Sequence, residues 1–175
     1  MAKQSNVARI TASIVGFVVV SLIGLLAFAG PGGGTEAGAL VGQRAPRVAG
    51  TTLAGDQFDI DDMRGSWVLV NFFATTCPGC IQEHPDLIEV SEWGNTRGDV
   101  EIVAVVFNDA AEAVAQFFEL RGGDWPVLDE PAVAVDYSVA QIPETFLVSP
   151  SGQVVLYVEG EVEAETIVDF IERQS

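Results

Sequence analysis

The sequence predicts an α/β domain, in which helices flank a mixed central β-sheet, preceded by one N-terminal transmembrane helix. Three observations lead to this prediction. Strand-like and helix-like segments alternate along the chain and then finish in a β-β-α order. Two strand-like segments, 67–73 and 100–107, are almost continuously apolar, as strands covered on both faces are. An uncharged run of twenty residues, 10–29, precedes all of them.

The uncharged run 10–29 has the length of a membrane span, because twenty helical residues cover about 30 Å. Lys3 and Arg9 precede it and no acidic residue occurs before Glu36, so residues 1–9 are predicted to stay cytoplasmic. A cleaved signal peptide is the alternative, since Ala27–Ala29 fits a small-x-small cleavage site. The run exceeds the usual length of a signal peptide's apolar region, about 7–15 residues, which favours an uncleaved anchor. Both interpretations place the remaining chain on the extracytoplasmic side of the membrane, and the favoured anchor predicts a single-pass protein of the cell membrane.

Residues 30–42 are predicted to form a flexible linker, because Pro31 and three following glycines stand near their start. The folded domain is then expected to occupy residues 43–175. Its strands are predicted from short runs of β-branched and aromatic residues, and the last two flank a turn-rich segment, 149–152, as in a hairpin. The predicted strands are 56–60, 67–73, 100–107, 125–128, 145–148 and 154–158.

The helices are predicted from proline and glycine positions and from the spacing of apolar residues. Pro78 suits the first position of a helix, and the glycines at 122 and 123 suit the end of another. The last helix has one apolar face. The predicted helices are 78–93, 110–120, 132–137 and 163–173.

Composition excludes several functions. Eight Lys and Arg against 25 Asp and Glu give a net charge of −17, which excludes nucleic-acid binding through a basic surface. Two cysteines and one histidine are too few for a zinc site of four such ligands. We therefore expect no metal site and no nucleic-acid partner.

Both cysteines lie in the motif Cys77-Pro78-Gly79-Cys80, where a buried strand gives way to a helix. Cys77 is expected to cap this helix, so that its sulfur faces unpaired backbone N–H groups and the positive end of the helix dipole. Both features favour the thiolate, which is the nucleophile. Cys80 lies one turn further on. The pair can therefore cycle: Cys77 attacks a disulfide, and Cys80 resolves the mixed disulfide.

Two other interpretations of the cysteine pair are possible. A purely structural disulfide across so short a loop constrains the unfolded chain little, so it stabilises poorly. Two unrelated buried thiols would not be expected at this spacing on a strand–helix junction in an exported protein. The spacing and position together favour a redox pair.

The segments VLVNFFATTCPGCIQEHPDL (68–87) and QIPETFLVSPSGQVV (141–155) resemble the membrane-anchored thioredoxin-like oxidoreductases of the TlpA/ResA/DsbE group. Within that group, the reductases of cytochrome c maturation are the most similar. The resemblance covers the chain from about Gly42 to its C-terminus. It implies a thioredoxin-like fold with a β-α insertion at about 121–139.

The resemblance also implies roles for individual residues. Cys77 would be the exposed attacking thiol and Cys80 its buried partner. Glu83 matches the acid of a C-x-x-C-x-x-E pattern, which is taken to exchange a proton with the buried thiol. Pro143 matches the cis-proline that faces the cysteines, and Ile142 would offer backbone groups to an extended substrate peptide.

Two residues of the first segment allow different interpretations on the residues alone. Glu83 falls at the edge of an apolar helical stripe, so it is either an exposed rim carboxylate or, as the resemblance favours, a buried functional acid with a raised pKa. His84 is the only histidine and lies near the centre of that stripe. A packed histidine with one hydrogen bond is favoured over a catalytic or metal-binding one.

The resemblance therefore predicts a protein-disulfide reductase that keeps the cysteines of apocytochrome c, or of another exported dithiol protein, reduced outside the membrane. Its electrons would come from an integral-membrane thiol carrier, and it would need no cofactor beyond its own dithiol. A general oxidase or isomerase of exported proteins is the first alternative. A copper-binding assembly factor is the second, although the cysteine spacing and the single adjacent histidine do not fit it. A peroxidase is disfavoured because Ala74 stands where threonine is expected.

Overall fold

The structure, a computed structural model, describes residues 36–174. The predicted cytoplasmic segment 1–9 and the predicted membrane anchor 10–29 lie outside the described residues. None of the helices within 36–174 combines the length and the apolar character that a membrane crossing requires.

The described residues form the α/β architecture that the sequence predicts. Most predicted elements are present with boundaries shifted by a few residues. The strands are β1 (Ala49–Thr51), β2 (Gln57–Asp59), β3 (Trp67–Phe73), β4 (Val100–Val106), β5 (Val127–Leu128), β6 (Glu144–Val148) and β7 (Val154–Glu159). The α-helices are α1 (Pro78–Arg97), α2 (Ala111–Arg121), α3 (Pro131–Asp136) and α4 (Ala164–Glu172).

Five strands form the central sheet in the order β5-β4-β3-β6-β7, and β1 pairs with β2 separately. Strand β3 is parallel to β4, which is parallel to β5, whereas β6 and β7 continue the sheet in antiparallel pairs. The mixed sheet is therefore confirmed. Strand β3 lies at its centre, and all seven of its residues are buried, which explains why its sequence is nearly continuous in apolar residues.

The alternating side chains of the sheet define two faces. The α1 face carries Leu69, Phe73 and Leu147, which pack with residues of α1, α2 and α4. The opposite α3 face carries Phe72 and Phe146, which pack with residues of α3, with Tyr137 and with the 3₁₀ helix Ile60–Met63. Helices cover both faces, so the side chains of β3 are out of water on each side.

Helix α1 runs four residues further than predicted, to Arg97, and ends where Gly98 adopts φ 79°. The amide of Gly98 donates to the carbonyl of Gly94 at 2.7 Å, which caps the helix. A Cβ on Gly94 would lie 2.9 Å from Cβ of Val100, so glycine is what lets α1 approach β4 closely. This contact holds the helix, and the cysteine motif at its other end, against the sheet.

Two short elements differ from the sequence prediction. Glu36–Leu40 falls in the segment predicted as a flexible linker but forms a 3₁₀ helix, in which Ala37 is completely buried against the α3 face. Strand β1 was not expected, because three residues are too few to show an alternating pattern. Burial of Ala37 favours the 3₁₀ helix, whereas β1 forms by pairing with β2, and a window of sequence reveals neither contact.

Candidate active site

The cysteine motif lies at the carboxyl end of β3, the central strand. A turn closed by the Cys77 amide donating to the carbonyl of Ala74, at 3.2 Å, leads from the strand into α1. Cys77 is the N-cap of α1, and its Sγ accepts a hydrogen bond from the amide of Cys80 at 3.1 Å. The predicted cap is therefore confirmed, and Pro78 takes the first helical turn, where its missing N–H costs no hydrogen bond.

Cys77 and Cys80 are joined by a disulfide, with Cα atoms 5.3 Å apart. Cys77 is 8% exposed, whereas Cys80 is completely buried. An incoming thiol can therefore approach Cys77 but not Cys80. After reduction, the Cys77 sulfur faces the free N–H groups at the start of α1, which stabilise a thiolate there.

Glu83 lies one turn after Cys80 and is only 1% exposed. Its Oε1 accepts from Nδ2 of Asn71 at 2.8 Å, and its Oε2 accepts from the amide of Val162 at 2.9 Å. Burial raises the pKa of Glu83 to about 7, although these two hydrogen bonds act to lower it. The structure thus places Glu83 inside the domain as a buried acid, not on its rim, and the group can hold or release a proton near neutral pH.

Asn71 connects Glu83 to the sheet. Its Nδ2 also donates to Oγ1 of Thr145, the facing residue on β6, at 2.9 Å. Asn71 is not among the site residues that the sequence predicts. The sequence does contain a sign of its role, because Asn71 lies in a buried strand and shares the α1 face with Leu69 and Phe73. A side-chain amide at such a position needs a buried hydrogen-bond partner.

Pro143 lies beside the cysteine motif, and the Ile142–Pro143 peptide bond is cis, as the resemblance implies. A Cβ on Gly79 would lie 3.1 Å from Cδ of Pro143 and 3.2 Å from Oε1 of Glu161. The proline therefore packs against the dipeptide between the two cysteines. Ile142 is half-buried next to it, so the Ile142–Pro143 loop lies beside the dipeptide that separates the two cysteines.

Glu144 follows Pro143 but belongs to the α3 face, where it is 1% exposed. Its Oε1 accepts from the amide of Gln141 at 3.4 Å, while its Oε2 has no hydrogen-bond partner among the described residues. Burial raises the pKa of this carboxyl, and hydrogen bonds from Gln141 and Tyr157 lower it. The side chain braces the loop that presents Ile142, and it lies on the other side of the sheet from Glu83.

His84 is a packed residue, as the sequence analysis favoured. It is 3% exposed, its Nε2 lies 3.0 Å from the carbonyl oxygen of Gly122, and its ring contacts Phe117 and Trp125. Burial lowers its pKa, so the ring is neutral at physiological pH. Among residues 36–174, no three or more His, Cys, Asp or Glu side chains are grouped so that they could hold a metal ion.

Comparison with known proteins agrees with this geometry. The sequence model of the Redoxin family matches residues 40–171. The thiol-disulfide oxidoreductase ResA of Bacillus subtilis (strain 168) is 33% identical over 132 residues, which cover 74% of this chain and 73% of that protein. ResA of Geobacillus kaustophilus (strain HTA426) is 32% identical over 134 residues, which cover 75% of this chain and 76% of that protein.

A solved structure of a related protein has the same fold. The thiol:disulfide interchange protein of Chlorobium tepidum TLS, a thioredoxin-family protein, superposes with a TM-score of 0.68 at 26% identity. The match covers 74% of this chain and 94% of that one. The β-sheet order, the cysteine pair at the start of α1 and the extent of these matches together show that the chain belongs to the Redoxin family and is a thiol-disulfide oxidoreductase of the group that includes ResA.

Proposed function

We propose that the Cys77–Cys80 pair is the redox centre of a protein-disulfide reductase. The observation that carries this proposal is the position of the pair: the more exposed sulfur caps α1, and its buried partner lies one turn from a buried acid, Glu83. A disulfide in this place is accessible at one sulfur only, which a two-step exchange requires.

In the reduced chain, the thiolate of Cys77 attacks one sulfur of a substrate disulfide, and the first substrate thiolate leaves and takes up a proton. Cys80 then loses its proton and attacks the sulfur of Cys77, which breaks the mixed disulfide and releases the second substrate thiolate. Two electrons pass to the substrate, and the chain is left with the Cys77–Cys80 disulfide.

Glu83 is proposed to accept the proton of Cys80 when the mixed disulfide is resolved. The carboxyl lies on the same helix, one turn from Cys80, and burial raises its pKa to about 7. A group with a pKa near the working pH is suited to proton transfer in both directions. The bonds from Asn71 and Val162 hold the carboxylate in place.

Substrate binding is proposed at the loop formed by Ile142 and Pro143, beside the cysteine motif. Proline has no N–H, so Pro143 presents only its carbonyl, and that oxygen accepts from the amide of Gly160 at 2.9 Å. The backbone groups of Ile142 are therefore the ones that we assign to an extended peptide. No cofactor beyond the dithiol is needed for this chemistry.

We further propose that the substrate is the C-x-x-C-H segment of apocytochrome c, on the extracytoplasmic side of the cell membrane. An integral-membrane thiol carrier would return the two electrons, and residues 10–29 would anchor the chain. The P-E-T-F pattern at 143–146, the uncharged N-terminal run and the ResA relatives support this assignment.

The proposal is tested by mixing the reduced chain with an oxidised C-x-x-C-H peptide and following both disulfides by mass spectrometry. We expect one peptide reduced for each Cys77–Cys80 disulfide formed, no reaction for Cys77→Ser, and a trapped mixed disulfide for Cys80→Ser. Exchange by Cys77→Ser at the wild-type rate would contradict the mechanism. A disulfide peptide of equal length without the histidine is the control, and an equal rate with it would contradict the apocytochrome assignment alone.

A further inference from the structure

An acidic side chain outside the predicted site holds the loop that carries Cys77. Asp109 lies between β4 and α2, and its Oδ2 accepts from both the amide and the hydroxyl of Thr75, each at 2.6 Å. Its Oδ1 accepts from the amide of Ala110 at 2.7 Å. One carboxylate thus receives three short hydrogen bonds, and two of them come from the residue two positions before Cys77.

The topology of the sheet explains why these two loops meet. Strands β3 and β4 are parallel and in register, with Phe73 opposite Val106, so their carboxyl ends lie at the same edge. The amide of Phe107 donates to the carbonyl of Phe73 at 2.8 Å and keeps the two chains together just past the strands. Asp109 then bridges from the second loop to the first.

The bridge acts on the turn that sets the direction of Cys77. Thr75 is an inner residue of this turn, which is closed between Ala74 and Cys77. Its side chain is half-buried, and neither donor can point elsewhere while it remains bound to Asp109. Partial burial of Asp109 raises the pKa of its carboxyl, but the hydrogen bonds from Thr75 and Ala110 outweigh this and hold the pKa below its usual range. The carboxyl of Asp109 is therefore ionised at neutral pH.

We propose that Asp109 is a positioning residue for disulfide exchange, which acts through Thr75 to hold the sulfur of Cys77 against the N-terminus of α1. This inference rests on the proposed function, because it assigns Cys77 as the attacking thiol. Asp109 itself touches neither the sulfur nor the substrate.

A positioning role and a direct effect of charge predict opposite changes in the alkylation rate of Cys77 when Asp109 is removed. If Asp109 acted only through its negative charge, its removal would favour the thiolate of Cys77 and speed up alkylation at neutral pH. If it holds the sulfur at the helix N-terminus, its removal takes away the N–H groups that stabilise the thiolate, and alkylation slows down. Thr75→Val removes one of the three hydrogen bonds with no change of charge, so it isolates the second effect.

The experiment measures the alkylation rate of Cys77 against pH, and the rate of peptide disulfide reduction, in the full chain. We expect Asp109→Ala to lower both rates about tenfold at pH 7, because hydrogen bonds to a charged group are lost, and to move the alkylation profile to higher pH. Thr75→Val is expected to act in the same direction and less strongly, and Thr75→Ser to restore the wild-type rates. The double variant, Asp109→Ala with Thr75→Val, should be no slower than Asp109→Ala alone, since both substitutions break the same interaction.

The matched control is Asp129→Ala, because Asp129 is exposed and lines the same surface groove as Asp109. It should leave both rates unchanged. Wild-type rates in Asp109→Ala, faster alkylation, or additive effects in the double variant would each overturn the positioning role. These outcomes are separate from failure of the proposed function, which Cys77→Ser reveals by retaining exchange.

Discussion

The two faces of the central sheet bury different kinds of side chain. The α1 face holds the disulfide and a set of buried polar groups that are each hydrogen-bonded: Asn71, Glu83, His84 and Thr145. The α3 face is packed mainly with apolar side chains and aromatic rings, with Tyr137 within 5.4 Å of Phe72 and 4.9 Å of Phe146 between ring centroids, and its buried carboxyl, Glu144, lies at the start of β6. Burying polar groups costs free energy even when they are paired. The comparison therefore indicates that the α3 face stabilises the fold while the α1 face carries the chemistry.

Phe146→Ala is the strongest test of the aromatic packing on the α3 face as a stabilising contact. Phe146 is completely buried and its ring contacts three other aromatic rings. We expect a loss of about 3–5 kcal/mol in the free energy of unfolding, since a large cavity remains, with no change in the exchange rate of the folded protein. Urea unfolding and peptide reduction measure the two quantities. A tenfold slower exchange in the folded variant would show that the division between the faces is wrong.

Glu83→Gln tests whether the acid on the α1 face titrates as a buried group. Burial raises its pKa from 4.5 to about 7, so between these values the folded chain holds a proton that the unfolded chain releases. The contribution of Glu83 to the free energy of unfolding is therefore complete below about pH 4.5. It falls as the pH rises to about 7 and does not change further above that pH. The loss amounts to about 3 kcal/mol.

Glutamine does not titrate, so we expect Glu83→Gln to lack this loss when the free energy of unfolding is measured from pH 4.5 to 8. Glu89→Gln is the control, because Glu89 is an exposed carboxyl on the same helix and is not among the groups that shift the pKa of Glu83, so it should keep the wild-type pH dependence. An unchanged slope in Glu83→Gln would mean that the buried carboxyl is not the titrating group.

The sequence predicts the strand–helix frame of both faces, because β3 and the Cys77 cap are local patterns. Its limits lie in contacts between distant residues. Glu83 could be a rim or a buried acid until Val162, 79 residues away, supplied a donor to it. Asp109 was missed because its partner Thr75 lies 34 residues from it, whereas Asn71 was recognisable as an amide in a buried strand although its partner Thr145 lies 74 residues away.

Gly79→Ala gives the smallest expected effect and concerns the contact between the cysteine motif and the Ile142–Pro143 loop. The new Cβ would press on Cδ of Pro143 at 3.1 Å, so the proline or the helix must shift by a few tenths of an ångström. We expect exchange with the peptide to slow about threefold, equivalent to less than about 1 kcal/mol, with little change in the urea midpoint. A wild-type rate would show that contact between Gly79 and Pro143 does not control access to Cys77.

The reduction potential of the Cys77–Cys80 pair tests most directly whether the α1 face carries a reductant. The chain is equilibrated in thiol–disulfide buffers, and its reduced fraction is measured by alkylation and mass spectrometry. A reductase requires a potential near that of thioredoxin, about −270 mV, and we expect a value close to it. A potential near about −120 mV would mean that the pair stores an oxidising disulfide, and it would contradict the proposed direction of electron flow.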